Sequence, residues 1–455
     1  MKIKRVKWKN HPILGNLELD FINTTSGEPF NNILFAGENG TGKTAILESI
    51  SNFLNLKSFE YFECIEYLVD GKLFKARPQP GNDKYKMGFY QLEEPSGETQ
   101  NINTNRNNSF QQIEANPKDI RHYGCVFSKA RADFKTETIT HTTTKVLDSE
   151  KYSLDNEENF TSLKQLIVDI QNQDDIEYRK INQERAANSQ VPMSFTEFYK
   201  SSKIHRFQEA FNNFFDKIKY YGVEDNNGEK RIGFKKRDTI IGIDNLSTGE
   251  KQIVFRGAYL LRNVKKLNGA AIMIDEPELS MHPKWQERIL KFYKDLFRKS
   301  NGVQNAQLFF ATHSDHVLKE ALLNKQQNIV IILKDIEGEI RGRKIDAPSV
   351  LPSITNAETN YLAFDIVSND YHIELYGHLQ NKKSKNSVKS CDDYIKSQPQ
   401  YNASIHSKNS TSPTGTTYST LSTYIRNAID HPEPSRRFTD DELRRSIELL
   451  IELCR

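Results

Sequence analysis

Nine consecutive residues, Ala36-Gly37-Glu38-Asn39-Gly40-Thr41-Gly42-Lys43-Thr44, carry the first chemistry in this sequence. Glycine, four residues, then Gly-Lys-Thr is the spacing of a loop that wraps a phosphate. The glycines let successive backbone N–H groups curl round an anion without side-chain clash. Lys43 would reach the terminal phosphates, and the Thr44 hydroxyl would hold a magnesium ion. A chance glycine turn would do none of this, so the flanks matter. An apolar run, Asn32-Ile33-Leu34-Phe35-Ala36, precedes the loop, and a helical pattern, Ala45-Ile46-Leu47-Glu48-Ser49-Ile50, follows it. Strand, turn and helix in that order place a helix dipole's positive end at the anion.

Four more stretches could join this loop. Ile272-Met273-Ile274-Asp275-Glu276 is an apolar strand ending in two carboxylates. At a strand end beside the phosphates, Asp275 would sit near the magnesium and Glu276 could polarise an attacking water; the plain alternative is an acidic surface turn. Leu246-Ser247-Thr248-Gly249-Glu250 opens an apolar helix. Gly249 would leave amides open for an anion, while Ser247 and Glu250 alone make an ordinary capping box. Phe310-Ala311-Thr312-His313-Ser314 ends another buried strand, where His313 could hydrogen-bond a phosphate and the water. Glu278-Leu279-Ser280-Met281-His282-Pro283 is either a plain loop or one that meets a partner subunit.

In this order the motifs resemble those of the ATP-binding-cassette ATPases, in the branch of structural-maintenance and Rad-type heads. The run from Asp275 to Pro283 is similar to that of the stand-alone ATPases of bacterial phage defence, and the whole-chain outline, compact heads with a modest helical insertion and a C-terminal helical extension, is similar to that of the Septu-type ATPases. The resemblance covers residues 1–56 and 240–335. Thr248 stands where the family usually has glycine, and no glutamine in 57–150 is assignable as the family's magnesium-and-lid glutamine. The resemblance implies ATP and Mg2+ as cofactors. Gly37, Glu38, Asn39, Gly40, Thr41, Gly42, Lys43 and Thr44 would form the nucleotide loop, Thr44 and Asp275 would hold the metal, and Lys43, Glu276 and His313 would act in hydrolysis. Ser247, Thr248, Gly249 and Glu250 would serve a neighbour's nucleotide, so the protein is expected to form a head-to-head dimer or a higher even oligomer.

The elements that must position these residues are α/β. Alternating strands fill residues 1–36. Further strands are expected at 62–69, 73–76, 87–92 and 123–127, with an Asn/Thr-rich flexible loop at 98–109. Helical spacing of Phe160, Leu163, Leu166, Ile167 and Ile170, then of Ile204, Phe207, Phe211, Phe214, Phe215 and Ile218, marks a helical insertion whose stripes pack a core. Strands resume near 232–234 and 239–243, and 271–274, 308–311 and 329–333 read as buried strands. The expected architecture is an ABC-ATPase head with a mixed parallel sheet flanked by helices and an antiparallel N-terminal β portion. Residues 1–150 and 221–345 form that head, 151–220 the helical insertion, and 346–455 a helical extension for partner docking or an effector. Within the extension, 381–417 is expected to be mobile, and a capped helix at 439–453 closes the chain.

Composition narrows the classes. The chain has 455 residues, 36% hydrophobic, with a formal net charge of +3, which argues against a strong global pull on nucleic acid. Cys64, Cys125, Cys391 and Cys454 show neither metal spacing nor a disulfide framework. No signal peptide and no apolar run near the ~20 residues of a membrane span is present, so the expectation is a cytoplasmic protein without a membrane partner. The stretch Arg426-Asn427-Ala428-Ile429-Asp430-His431 resembles the Arg-His motif of HEPN ribonucleases; its plain reading is a helix end stopped by Pro432. No Cys/His cluster of the HNH type occurs. The preferred reading is an ATP-binding sensor subunit of anti-phage defence that regulates a separate HNH-type nuclease, with nucleic acid reached through the complex. The alternatives are an ATPase with its own HEPN-like ribonuclease, Arg426 and His431, and a Rad-like repair ATPase.

Overall fold

The computed structural model describes residues 1–81, 86–130, 152–154, 160–261, 266–298, 302–345, 347–412 and 415–455. The chain divides into two compact units, Met1–Lys344 and Ile345–Arg455.

The first unit opens with β1 (Lys2–Trp8), β2 (Glu18–Asp20), β3 (Asn32–Ala36) and helix α1 (Lys43–Leu54). An antiparallel run follows: β4 (Phe62–Val69), β5 (Lys72–Arg77), β6 (Tyr90–Glu93) and β7 (Thr99–Ile102), then α2 (Arg106–Ala115), β8 (Cys125–Ser128) and β9 (Tyr152–Leu154). Next come α3 (Phe160–Ala187), α4 (Phe195–Tyr199), α5 (Lys203–Phe214) and a meander of β10 (Ile218–Asn226), β11 (Glu229–Lys236) and β12 (Thr239–Gly242). The unit closes with α6 (Thr248–Leu261), β13 (Ala271–Asp275), α7 (Pro283–Leu296), β14 (Gln307–Ala311), α8 (Asp315–Leu323), β15 (Asn328–Ile336) and β16 (Glu339–Lys344).

Two sheets result. One is antiparallel in the order β2-β1-β4-β5-β6-β7, and the other runs β16-β15-β3-β14-β13-β8-β9 with only β16 antiparallel. β3, β13 and β14 are buried along their whole length, as strands covered on both faces must be. Their register sets the site: Ala311 lies opposite both Phe35 and Asp275. Gln307 ties the sheets together, its amide exchanging bonds with Ile3 N–H (2.7 Å) and C=O (3.0 Å). Phe21 packs edge-on against Phe35 and Phe309 in the core between them.

Three expectations need correction. The polar residues 98–109 are not one loop: β7 pairs with β6, Ile102 turns inward, and α2 begins at Arg106. Helical spacing from Ile204 does not continue to Ile218, because α5 stops at Phe214 and Ile218 opens β10. The third concerns 381–417 in the second unit. That unit holds α9 (Asn356–Phe364), α10 (Asn369–Lys382), α11 (Val388–Ser397), α12 (Ala403–His406), the hairpin β17 (Ser407–Thr411) and β18 (Thr417–Thr420), α13 (Leu421–Asp430) and α14 (Asp440–Cys454). The stretch expected to be mobile contains α11, whose Cys391 and Ile395 are buried in this unit's core. The buried Asp392 carboxylate accepts Thr420 N–H (3.0 Å) and the Thr420 hydroxyl (2.6 Å), so a polar sequence is held by specific bonds. The last helix is capped as expected, and the cap is a capping box of Thr439 with Glu442.

His372 of α10 is wholly buried, with Nε2 2.9 Å from Ser446 Oγ. Burial pushes its imidazole down to about 3. The unfolded chain takes up that proton near the ordinary value of about 6.5, so the contribution to stability is complete above that pH and is lost as pH falls towards the folded value. Thermal unfolding followed from pH 7 to pH 4 should show Tm falling more steeply in the wild-type chain than in His372→Gln. Equal slopes would mean that His372 is not the group responsible.

Candidate functional site

The phosphate-loop sequence leaves β3 at Gly37, whose φ of 134° belongs to glycine; a Cβ there would stand 2.2 Å from Leu333 O. The loop ends at Gly42, again left-handed, where a Cβ would meet Leu14 Cδ2 at 2.4 Å. Gly42 is the N-cap of α1, brings no side chain to cap the first-turn amides, and is followed by no acid in that turn. Free amide donors at a helix start suit an anion. The nearly buried Lys43 curls back, Nζ donating to Gly37 O (2.9 Å) and Glu38 O (2.7 Å). Burial draws its pKa down to about 8, against the upward pull of Asp275, Glu276, Glu278 and Glu38. One lysine thus stands within the field of four carboxylates.

Thr44 Oγ1 lies 3.2 Å and 3.1 Å from the two carboxylate oxygens of Asp275, although 231 residues separate them. The Asp275 carboxyl is pushed up to about 6, by burial first and by Glu276 in addition, while Thr44 and Arg256 oppose the rise. A hydroxyl and a carboxylate form the hard oxygen pair that a small divalent cation accepts. Glu276 follows with φ at 44°, a conformation that costs a non-glycine residue energy. Its N–H donates to Ala311 O (2.9 Å), which anchors the turn to β14.

His313 lies at the rim where β14 ends. Loss of hydration and the Lys43 charge hold its imidazole below the usual range, with Glu276 opposing. Its loop is fixed from the acidic side: Glu278 Oε1 accepts Thr312 Oγ1–H and His313 N–H, both at 2.8 Å. Burial raises the Glu278 carboxyl, and these two bonds oppose the rise.

The 247–250 segment behaves differently. Ser247 and Glu250 form a capping box: Ser247 N–H reaches Glu250 Oε2 at 2.7 Å and Glu250 N–H reaches Ser247 Oγ at 3.3 Å. Ser247 and Thr248 are exposed, and Gly249 is required by close packing, since a Cβ would sit 2.8 Å from Ser280 O and 3.2 Å from Trp285. Among the described residues no hydrogen bond or ion pair joins 247–250 to 37–44. The segment reaches the cluster through Arg256, two turns along α6. Arg256 donates to Asp275 O (2.9 Å), Glu276 O (3.2 Å) and Lys129 O (3.0 Å). Sequence reasoning missed Arg256 and the anchoring role of Glu278; the available signal was one arginine inside the apolar run Ile253-Val254-Phe255-Arg256-Gly257-Ala258.

The structure therefore brings the 37–44 loop, Asp275, Glu276 and His313 together and leaves 247–250 apart. In the second unit, Arg426 pairs with Asp430 (2.7 Å) and Asn427 (2.9 Å) on its own helix rather than with His431, which is exposed at the helix end. Replacing Arg256 by Ala removes three bonds from a charged donor to backbone carbonyls and should lower stability by on the order of 3 kcal/mol. Urea unfolding checks this; a loss below about 0.5 kcal/mol would show that the carbonyls find other partners.

The family described as "AAA domain, putative AbiEii toxin, Type IV TA system" matches residues 33–319. A protein of Vibrio cholerae serotype O1 biovar El Tor described as "Retron Vc95 probable ATPase" is 35% identical over 92 residues, 18% of this chain and 17% of the relative, so the match spans about a sixth of that protein. Among solved structures, an Smc head bound to the C-winged-helix domain of ScpA is 12% identical with a TM-score of 0.40, covering 76% of this chain and 99% of that one. The SMC head domain of Thermotoga maritima is 12% identical with a TM-score of 0.35, covering 76% of this chain and 100% of that one. Matched over more than half its length, the chain belongs to this AAA-domain family.

Proposed function

We propose that the chain is an ATP-dependent switch that closes head to head on nucleotide and governs a separate effector in bacterial defence. The observation that carries the nucleotide part is the contact of Thr44 Oγ1 with the Asp275 carboxylate beside Lys43. The donor set fits Mg2+: two oxygen ligands, one of them a buried carboxylate whose raised pKa marks an uncompensated charge. Magnesium would supply neutralisation of charge on the transferring phosphoryl group. Residues 37–44 would give backbone donors to the phosphates, with Lys43 exchanging its loop carbonyls for phosphate oxygens. Thr44 and Asp275 would hold the metal. Glu276 would orient and deprotonate the water, and His313 would donate a hydrogen bond at the rim.

Ser247, Thr248, Gly249 and Glu250 are proposed to complete the site of a second copy. Exposure of Ser247 and Thr248 away from this chain's own loop favours that reading. Arg256 would report the state of the segment to the Asp275-Glu276 turn. The defence role is supported by the family's toxin–antitoxin description and by the short match to a retron ATPase. A separate nuclease of the HNH type, like that of Septu-type systems, is our preferred effector. The bonding of Arg426 to Asp430 disfavours a ribonuclease site in this chain.

Lys43→Ala should weaken ATP binding about tenfold to a hundredfold by calorimetry. Glu276→Gln should retain binding, lower turnover by about two orders of magnitude or more, and accumulate an ATP-bound dimer in sedimentation. Unaltered turnover in Glu276→Gln would remove Glu276 from its role. The purified chain alone should cut neither DNA nor RNA; RNA cleavage that disappears in Arg426→Ala would reverse the assignment of the effector to another chain.

A further inference from the structure

A cavity between α3, α4, the start of α5 and β10 is remote in sequence from the phosphate loop. α3 is followed by the segment 188–194, which Asn182 ties back to the helix. That side chain accepts Met193 N–H (2.7 Å) and donates to Met193 O (3.2 Å), and Tyr178 Oη donates to the same carbonyl (3.2 Å). The segment leads into α4, where Phe195 and Tyr199 stack with ring centroids 5.5 Å apart. β10 approaches with a bulge: its register with β11 slips between Tyr220 and Gly222. Adjacent strand residues ordinarily point to opposite faces. Here Tyr220 and Tyr221 line one cavity, as a bulge that re-aims a side chain allows.

The cavity measures about 230 Å³ and is lined by aromatic rings together with Asp174 and Asp175, with no lysine or arginine in its wall. Asp174 is buried and already accepts Ile204 N–H at 2.9 Å. Asp175 is exposed, with Arg179 one helical turn away as its charged neighbour. Phe195 is 52% exposed and Tyr221 50%, a large aromatic area left open on a folded chain. Ile176 and Val191, on the same helical hairpin, are exposed as well.

Ring faces and carboxylates together select a cation. The volume lies below the ~300–1,000 Å³ of small-molecule sites and admits one long side chain. A guanidinium is planar, stacks on aromatic faces and meets a carboxylate through two N–H donors. We propose that this cavity receives an arginine side chain from a partner polypeptide, its guanidinium laid against the exposed Tyr221 ring and paired with Asp175. The exposed apolar residues of the hairpin would be covered by the partner's backbone. The proposal rests on the regulatory reading only in taking the partner to be another protein. Its test needs neither nucleotide nor nuclease, so the two can fail separately.

The probe is the peptide Ac-Gly-Arg-Gly-NH2, with the citrulline peptide as an uncharged match, titrated into the full chain labelled with fluorotyrosine and read by fluorine NMR. Saturable shifts are expected with arginine and not with citrulline. Tyr221→Ala and Asp175→Asn should each weaken binding about threefold to thirtyfold while leaving ATP turnover unchanged. Equal response to citrulline, or undiminished binding in both variants, would overturn the proposal. So would wild-type self-association that Tyr221→Ala abolishes, because a second copy of this chain would then fill the cavity. Should Tyr221→Ala misfold, Asp175→Asn and the citrulline control decide the matter.

Discussion

The site depends on the register of three parallel strands. β14 lies between β3 and β13, with Ala311 level with Phe35 on one side and Asp275 on the other. Two further bonds extend the ladder past the strand ends, Thr312 N–H to Phe35 O (3.0 Å) and Glu276 N–H to Ala311 O (2.9 Å). Gly37, Thr312 and Glu276 therefore leave the sheet at one level, along the carboxyl edge where open α/β sheets take their ligands. α1 then carries Thr44 across β14 to Asp275. A slip of one residue in either strand pair would exchange the two buried faces of a strand and separate these side chains.

What gathers on that edge is electrostatically unfinished. Asp275 and Glu278 are carboxyls raised by burial, while Lys43 is an ammonium lowered by it. Lys43 meanwhile rests on carbonyls of its own loop, and Glu276 holds a left-handed backbone. Such an arrangement stores cost in a place where a phosphate and a divalent cation would relieve it. The surrounding grip is strong: Glu278 pins the His313 loop, and Arg256 pins the Asp275-Glu276 turn from α6. A shift of α6 would therefore be felt at the carbonyls of the two acids without passing through solvent.

Sequence alone showed the parts whose meaning is local. The loop at 37–44 announces itself by glycine spacing, and β3, β13 and β14 by unbroken apolar runs. Arg256 and Glu278 were invisible because their partners are backbone groups and a hydroxyl supplied by distant segments. The capping box of Ser247 and Glu250 was legible in the sequence, whereas the packing of Gly249 against Ser280 and Trp285 was not, because those partners come from a distant segment. β7 and α11 were misjudged because polar composition was taken as looseness. Cross-strand pairing to β6 orders the first, and the Asp392 contacts order the second. Ile218 continued a helical period by coincidence, since the chain had already turned into β10.

The most direct test of the shared site is the magnesium dependence of ATP affinity, measured by calorimetry in wild type, Thr44→Ala, Asp275→Ala and the double variant. Two residues acting on one metal predict that Mg2+ tightens wild-type binding by about tenfold or more. Each single variant should lose that gain, and the double variant should lose no more than either. A magnesium effect that survives in both single variants, or losses that simply add, would contradict a common metal between β13 and the phosphate loop.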